Sequence, residues 1–143
     1  MKKVLFVVLP YTPDKELQTK HKLRSFVAHP YGVLSIATYL KRNTDAIVKV
    51  FDCNVQEDYH KEVVRFNPDI VAFSMMFDCS YKYVKSMAYS VKNWNSNCQI
   101  VIGGAAATAS YQTILDEVPD IDAVCYGEGE IPFLKLYKFG INS

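Results

Sequence analysis

The stretch QIVIGGAAATAS, residues 99–110, decides the fold. Ile100, Val101 and Ile102 form a short β-branched run that ends on Gly103 and Gly104. The six residues that follow, Ala105 to Ser110, carry almost no bulk. A short apolar run bounded by glycine reads as a strand buried on both faces, as in a parallel sheet. Apart from two weak hydroxyls, nothing here can do acid–base or nucleophilic chemistry. The glycines therefore mark either two elements packed closely or a large group lying against backbone.

Four further runs share this character: VLFVVL (4–9), AIVKVF (46–51), DIVAFSMM (69–76) and DAVCYG (122–127). Lys49 interrupts the second, which places that strand at a sheet edge. Helical periodicity lies between the runs. Val33, Ile36, Ala37 and Leu40 repeat at i, i+3, i+4, i+7, as do Val84, Met87, Ala88 and Val91, and Tyr111, Ile114, Leu115 and Val118. A weaker helix covers about 56–66, and a last one begins near Glu130. Strand–helix alternation five times over predicts a flavodoxin-like, doubly wound α/β domain with strand order 2-1-3-4-5. Ligands of such folds bind at the carboxyl ends of the strands. The connection from Pro10 to Pro30 is far longer than the usual strand-to-helix loop of about 2–6 residues, and it overhangs that edge.

A chain of 143 residues, half of them hydrophobic, suits one domain with a sizeable core. The net charge of +1, without a basic run, speaks against a nucleic-acid surface. No apolar run reaches the roughly 18–20 residues of a membrane span. MKKVLFVVLP lacks the apolar length and cleavage site of a signal peptide and reads as a first strand, so a cytoplasmic chain is expected. Cysteines at 53, 79, 98 and 125 form no CxxC pair, so no zinc or iron–sulfur site is encoded locally, and reduced, mostly buried thiols are expected. The dinucleotide fingerprint is absent, since no glycine precedes Gly32. A phosphate-receiver site is excluded too, because the first strand ends Leu9-Pro10-Tyr11 and the third Ser74-Met75-Met76, without the acidic residues it needs.

What remains is a site of strand ends with small residues: Ser74, Gly103-Gly104 and the Gly127-Glu128-Gly129-Glu130 turn. With KVLFVVLPY, HPYGVLSIATYLK, NPDIVAFSMM, IVIGGAAAT and IDAVCYGEGEIPFLKL in this order, the chain resembles the cobalamin (B12)-binding domain at the front of cobalamin-dependent radical-SAM enzymes of the methyltransferase and anaerobic cyclase type. The resemblance runs from Lys3 to about Leu136. The broader family pattern is Asp-x-His-x-x-Gly, Ser-x-Leu, Gly-Gly. Here His29 and Gly32 occupy the first part with Val27 in place of Asp, and Ser74 and Met76 the second with Met in place of Leu. The resemblance implies that residues 1–138 form the cobalamin-binding domain and that 139–143 are a tail or the start of a downstream domain. It implies a cofactor site made of Pro10, Tyr11, His29, Gly32, Ser74, Met76, Gly103, Gly104, Ala105, Thr108 and Gly127, with no catalytic residue and no protein metal ligand.

The family inserts the nucleotide tail of cobalamin into a slot beside the sheet. Gly103 and Gly104 would then let the tail run against backbone, and a side chain at Gly104 would fill the slot and not the core. Without the supporting Asp, His29 is expected near the ring but not on cobalt. His21 and His60 read as surface residues, and Glu128 and Glu130 as charges favoured near a helix N-terminus. Radical-SAM chemistry needs CxxxCxxC, which this chain lacks. The iron–sulfur cluster (4Fe–4S) and S-adenosylmethionine would belong to the downstream radical-SAM domain, the implied partner. The oligomeric state stays open, as do two other readings: a cobalamin-free interaction domain of the same fold, and a flavodoxin-like carrier.

Overall fold

The computed structural model describes residues 1–10 and 31–141. Strand β1 (Lys3–Val8) leads to helix α1 (Tyr31–Asn43), β2 (Ile47–Asp52), α2 (Tyr59–Phe66) and β3 (Ile70–Ser74). A 3-10 turn (Asp78–Ser80) then opens α3 (Tyr81–Trp94), followed by β4 (Gln99–Gly103), two short helices α4 (Ala105–Ala109) and α5 (Tyr111–Glu117), β5 (Ala123–Val124) and α6 (Glu130–Phe139). The five strands are parallel in the order β2-β1-β3-β4-β5. The expected flavodoxin-like arrangement is the one observed, with the Lys49 strand at an edge.

Strand parity explains why the runs are apolar at successive positions. Leu5, Val7, Val71, Phe73, Ile100 and Ile102 face one layer, where Val63 of α2, Val84 of α3, Ala107 of α4 and Ile114 of α5 complete the core. Val4, Phe6, Val8, Ile70, Ala72 and Val101 face the other, under Val33 and Leu40 of α1 and Phe133 and Leu136 of α6. The three central strands, β1, β3 and β4, are each buried on both faces, so alternation disappears in them. Sharp stops divide the elements: α2 ends at Asn67, in the left-handed region at φ 56°, just before Pro68, and α6 ends at Gly140 with φ 91°.

Differences from expectation lie mostly at the β5 edge. The fifth run was expected to pair over 122–127, but the ladder holds only at Ala123–Val124, because β4 turns away at Gly104 and Gly127 turns the chain at φ 79°. A backbone bond from the Cys125 amide to the Ile102 carbonyl, 2.8 Å, ends the contact. On α5, Ile114 and Val118 are buried, but Tyr111 and Leu115 are each 43% exposed. Two turns of helix over a two-residue strand cannot cover all four, and Tyr111 instead meets Tyr126 edge-on at 5.4 Å between ring centroids. Among the cysteines, Cys98 and Cys125 are buried, Cys53 is half-buried and Cys79 exposed. His60 is exposed, its Nδ1 2.8 Å from Ser90 Oγ. Among the described residues, no helix is long and apolar enough to cross a membrane.

Lys49 finds its partner on α2. It lies opposite Leu5 and pairs with the Glu62 carboxylate, which Arg65 also holds. Glu62 is only 6% exposed, and the Lys49 hydrogen bond holds its carboxyl below the ordinary glutamate range, against the opposing effect of burial and with further help from Arg65. A lowered folded-state value gives stability that is present above the unfolded glutamate's value and is lost as pH falls through the folded one. Lys49→Met should therefore melt below the wild type at pH 6, and the gap should close towards pH 3. Thermal melts at the two pH values check this; a gap that persists at pH 3 would show that Lys49 acts by packing alone.

Candidate functional site

At the carboxyl ends of β3 and β4, with Phe6 of β1 beside them, a cleft of about 670 Å³ opens between the sheet and the α1–α6 layer. Its size is typical of sites that enclose much of an organic ligand. Strand parity builds the floor. Phe6 lies opposite Ala72, and Ala72 opposite Val101, so the three side chains form one row across the sheet. Ala72 is the smallest residue of IVAFS, and the volume it leaves is part of the cleft. Val33 and Ile36 of α1 and Phe133 of α6 face this row, with the Phe6 and Phe133 rings 5.1 Å apart.

Two residues further along the strands the wall becomes polar and small. Ser74 lies opposite Gly103, and both line the cleft. Ala105 and Thr108 continue the wall on α4, and Gly127 to Glu130 close it on the β5 side. Thr108 Oγ1 accepts the Gly127 amide at 3.0 Å, which fixes that turn and leaves the threonine hydroxyl hydrogen to donate. Across the mouth, Ser35 Oγ donates to Glu130 Oε1 at 3.0 Å and ties α1 to the first turn of α6. Gly129 permits this approach, since a Cβ there would stand 2.7 Å from Ile36 Cδ1. The α6 cap residue is Gly129, with no side-chain cap bond, so Glu130 acts through its first-turn charge and its bond to Ser35. Burial pushes the Cys125 thiol up to about 11, so it is a neutral part of the wall and not a nucleophile. Among the described residues, no group of three or more His, Cys, Asp or Glu is placed to hold a metal ion.

Of the residues singled out in the sequence, Gly32, Ser74, Met76, Gly103, Gly104, Ala105, Thr108 and Gly127 line this one cleft. Pro10 does not: it is buried at the end of β1, where Ser80 Oγ donates to its carbonyl. Tyr11 and His29 lie outside the described residues.

Gly104 lines the cleft with its backbone only, contrary to the expectation that a side chain there would fill the slot. At φ 107°, its absent Cβ would stand 2.6 Å from the Met75 carbonyl oxygen, not in the cleft. The segment around it is stitched to the end of β3, with the Met75 amide donating to the Gly103 carbonyl at 2.8 Å and the Ala106 amide to the Met75 carbonyl at 3.1 Å. Gly104 is glycine because two backbones meet there. Gly103 is different, since a Cβ would meet Cys125 Cβ at 3.4 Å, a contact that can be accommodated. The reading from sequence missed the deep half of the cleft: Phe6, Ala72 and Val101 on the sheet, and Val33, Ile36 and Phe133 on the helices. The one signal for it was an alanine amid the bulky residues of the third run.

The family model for the B12 binding domain matches residues 24–136. Over 111 residues the chain is 32% identical to a protein named an uncharacterized methyltransferase from Pyrococcus horikoshii, covering 75% of this chain and 24% of that protein. It is 34% identical over 111 residues to the anaerobic magnesium-protoporphyrin IX monomethyl ester cyclase of Rubrivivax gelatinosus, covering 75% of this chain and 20% of the cyclase. It is 29% identical over 129 residues to the hopanoid C-3 methylase of Methylococcus capsulatus, covering 88% of this chain and 24% of the methylase. The chain thus spans a fifth to a quarter of the length of these curated relatives. With the parallel 2-1-3-4-5 sheet, the cleft at its carboxyl edge and a family match over most of its length, the chain belongs to the B12-binding domain family.

Proposed function

We propose that this chain is the corrinoid-binding module of a larger cobalamin-dependent radical-SAM enzyme of the methyltransferase or cyclase type. The observation that carries the reading is the cleft, a slot with an apolar floor that ends at Ser74 and Gly103 on the carboxyl edge of the sheet. The residues fit a corrinoid nucleotide tail: flat apolar walls at depth, hydroxyls at the strand ends and small residues between them. The relatives' names, two of them for methyl-transferring proteins and one for a cyclase, support the class of parent enzyme. So does their length, which leaves room for a downstream domain carrying the iron–sulfur cluster and S-adenosylmethionine.

In this account the chain binds and orients and does no bond-making itself. Ala72 and Val101 give the tail a floor, Val33 and Phe133 hold its other face, and Gly103 and Ala105 keep the opening wide. Ser74 and Thr108 offer hydroxyl hydrogens to the tail's polar groups. Bound cobalamin supplies the cobalt chemistry used for methyl transfer or ring formation. The Ser35–Glu130 bond keeps the two wall helices at a fixed separation. The reading places the module in the cytoplasm, where its cysteines stay reduced.

The test is a visible-absorbance titration with hydroxocobalamin followed by desalting. Retained colour near one corrinoid per chain is expected. A colourless chain, with colour also absent when the parent enzyme's downstream domain is restored, would overturn the proposal.

A further inference from the structure

Charge is divided unevenly over the helical layer on the side of the sheet away from the α1–α6 layer. No Lys or Arg occurs between Lys92 and Lys135, whereas Asp116, Glu117, Asp120, Asp122, Glu128 and Glu130 all fall in that stretch. Helix α3 is the reverse: it carries Lys82, Lys85 and Lys92 and no acidic residue. The basic helix and the acidic α5 are neighbours. Val84 and Ala88 of α3 share one core with Ile114 of α5, Tyr81 Oη donates to Glu117 Oε1, and Lys92 Nζ pairs with Asp122 Oδ2 at 2.8 Å. Helical spacing sets the outward faces. With Val84, Ala88 and Val91 buried, α3 exposes Lys85, Ser86 and Tyr89; with Ile114 and Val118 buried, α5 exposes Leu115 and Asp116. Tyr89 is 62% exposed. Among the described residues no ion pair reaches Lys85 or Asp116, and Asp116 Oδ1 accepts only a neutral donor, Gln112 Nε2, at 3.2 Å.

We infer that the α3–α5 face pairs with the same face of a second copy of this chain, across a twofold axis that runs along the seam between the two helices. The patch changes sign at that seam, so it is complementary to itself. A twofold along the helices lays α3 of one copy over α5 of the other. Lys85 then meets the partner's Asp116, and Asp116 meets the partner's Lys85, because an isologous contact makes each pair twice. A twofold across the helices would lay α3 on α3 and bring like charges together, so the charge pattern selects between the two arrangements. Tyr89 and Leu115 give the contact an apolar centre, and tyrosine is enriched in such positions. Exposed ion pairs around so small a centre make a weak contact that salt dissociates. The cleft opens towards the α1–α6 layer, on the other side of the sheet, so pairing is independent of what the cleft binds.

The experiment is sedimentation velocity on the purified chain over a range of concentrations, at low salt and at high salt. A concentration-dependent dimer is expected at low salt, and it should dissociate at about 1 M salt, where screening acts within about 3 Å. Lys85→Glu alone and Asp116→Lys alone each place like charges at both symmetric contacts, and each should weaken the dimer about 10-fold or more. Mixing the two variants should restore it. The new glutamate of one chain then faces the new lysine of the other, and the native Asp116 of the first faces the native Lys85 of the second. A chain that stays monomeric at low salt would assign the face to a different partner and overturn the inference. A dimer that ignores both salt and the two substitutions uses another face and would overturn it too. Variants that melt like the wild type yet stay monomeric on mixing would overturn the pairing of Lys85 with Asp116.

Discussion

Ala72→Leu abolishes corrinoid retention and leaves the fold intact. Ala72 lies at the centre of the floor row, between Phe6 and Val101, and the space above it is the cleft itself. Ala72 is buried in this layer, so part of a leucine side chain would enter the cleft and part would press on its neighbours, at a cost of about 1–3 kcal/mol. Its added apolar surface meets Val33 and Phe133, and filling a void of this kind contributes about 0.5–2 kcal/mol of stability. The tail would lose the volume it needs, and affinity should fall at least about 100-fold, equivalent to about 2.7 kcal/mol. A desalting assay beside a thermal melt checks both halves. An unchanged affinity with an unchanged melt would show that the tail lies elsewhere.

The second large effect runs the other way. Gly104→Ala should unfold the protein at a distinctly lower temperature, whatever it does to corrinoid. The residue sits at φ 107°, and the new Cβ would press on the Met75 carbonyl at 2.6 Å. That carbonyl cannot retreat freely, because it accepts the Ala106 amide. Backbone strain of about 1–3 kcal/mol combines with the cost of pushing two stitched segments apart, so about 3 kcal/mol or more is expected. For a domain of this size the melting temperature should fall by about 10 °C. Gly32→Ala serves as the comparison, since among the described residues nothing lies within 4 Å of its added Cβ, and its melt should stay near that of the wild type. Equal melts for Gly104→Ala and the wild type would contradict the structural role assigned to Gly104.

These two substitutions mark where the sequence was legible and where it was not. Order and direction of the strands could be read because each run is short, β-branched and bounded by Pro, Asn, Asp or Gly, and Lys49 betrayed the edge. The outer half of the slot was legible for a related reason. Ser74, Gly103 and Gly127 are small or polar where a strand ends, and such residues need an explanation other than packing. The inner half was not. Phe6, Val101 and Phe133 line a void, yet an apolar residue beside a void has the same hydropathy and period as one that fills a core. Gly104 was misread for a different reason. Glycine records that no side chain fits, but not what stands in its place, and only the approach of β3 at Met75 distinguishes backbone from ligand. Tyr111 and Leu115 failed as core residues because periodicity cannot show that the strand beneath them is two residues long.

The most direct measurement of the central claim is a crystal structure of the chain grown with hydroxocobalamin. The account predicts one corrinoid per chain at the carboxyl edge of the sheet. Its nucleotide tail should pass Gly103 and Ser74, and its base should rest between the Ala72–Val101 floor and the Val33–Phe133 wall. A corrinoid bound with its tail outside this cleft, leaving Ala72 and Val101 untouched, would contradict it.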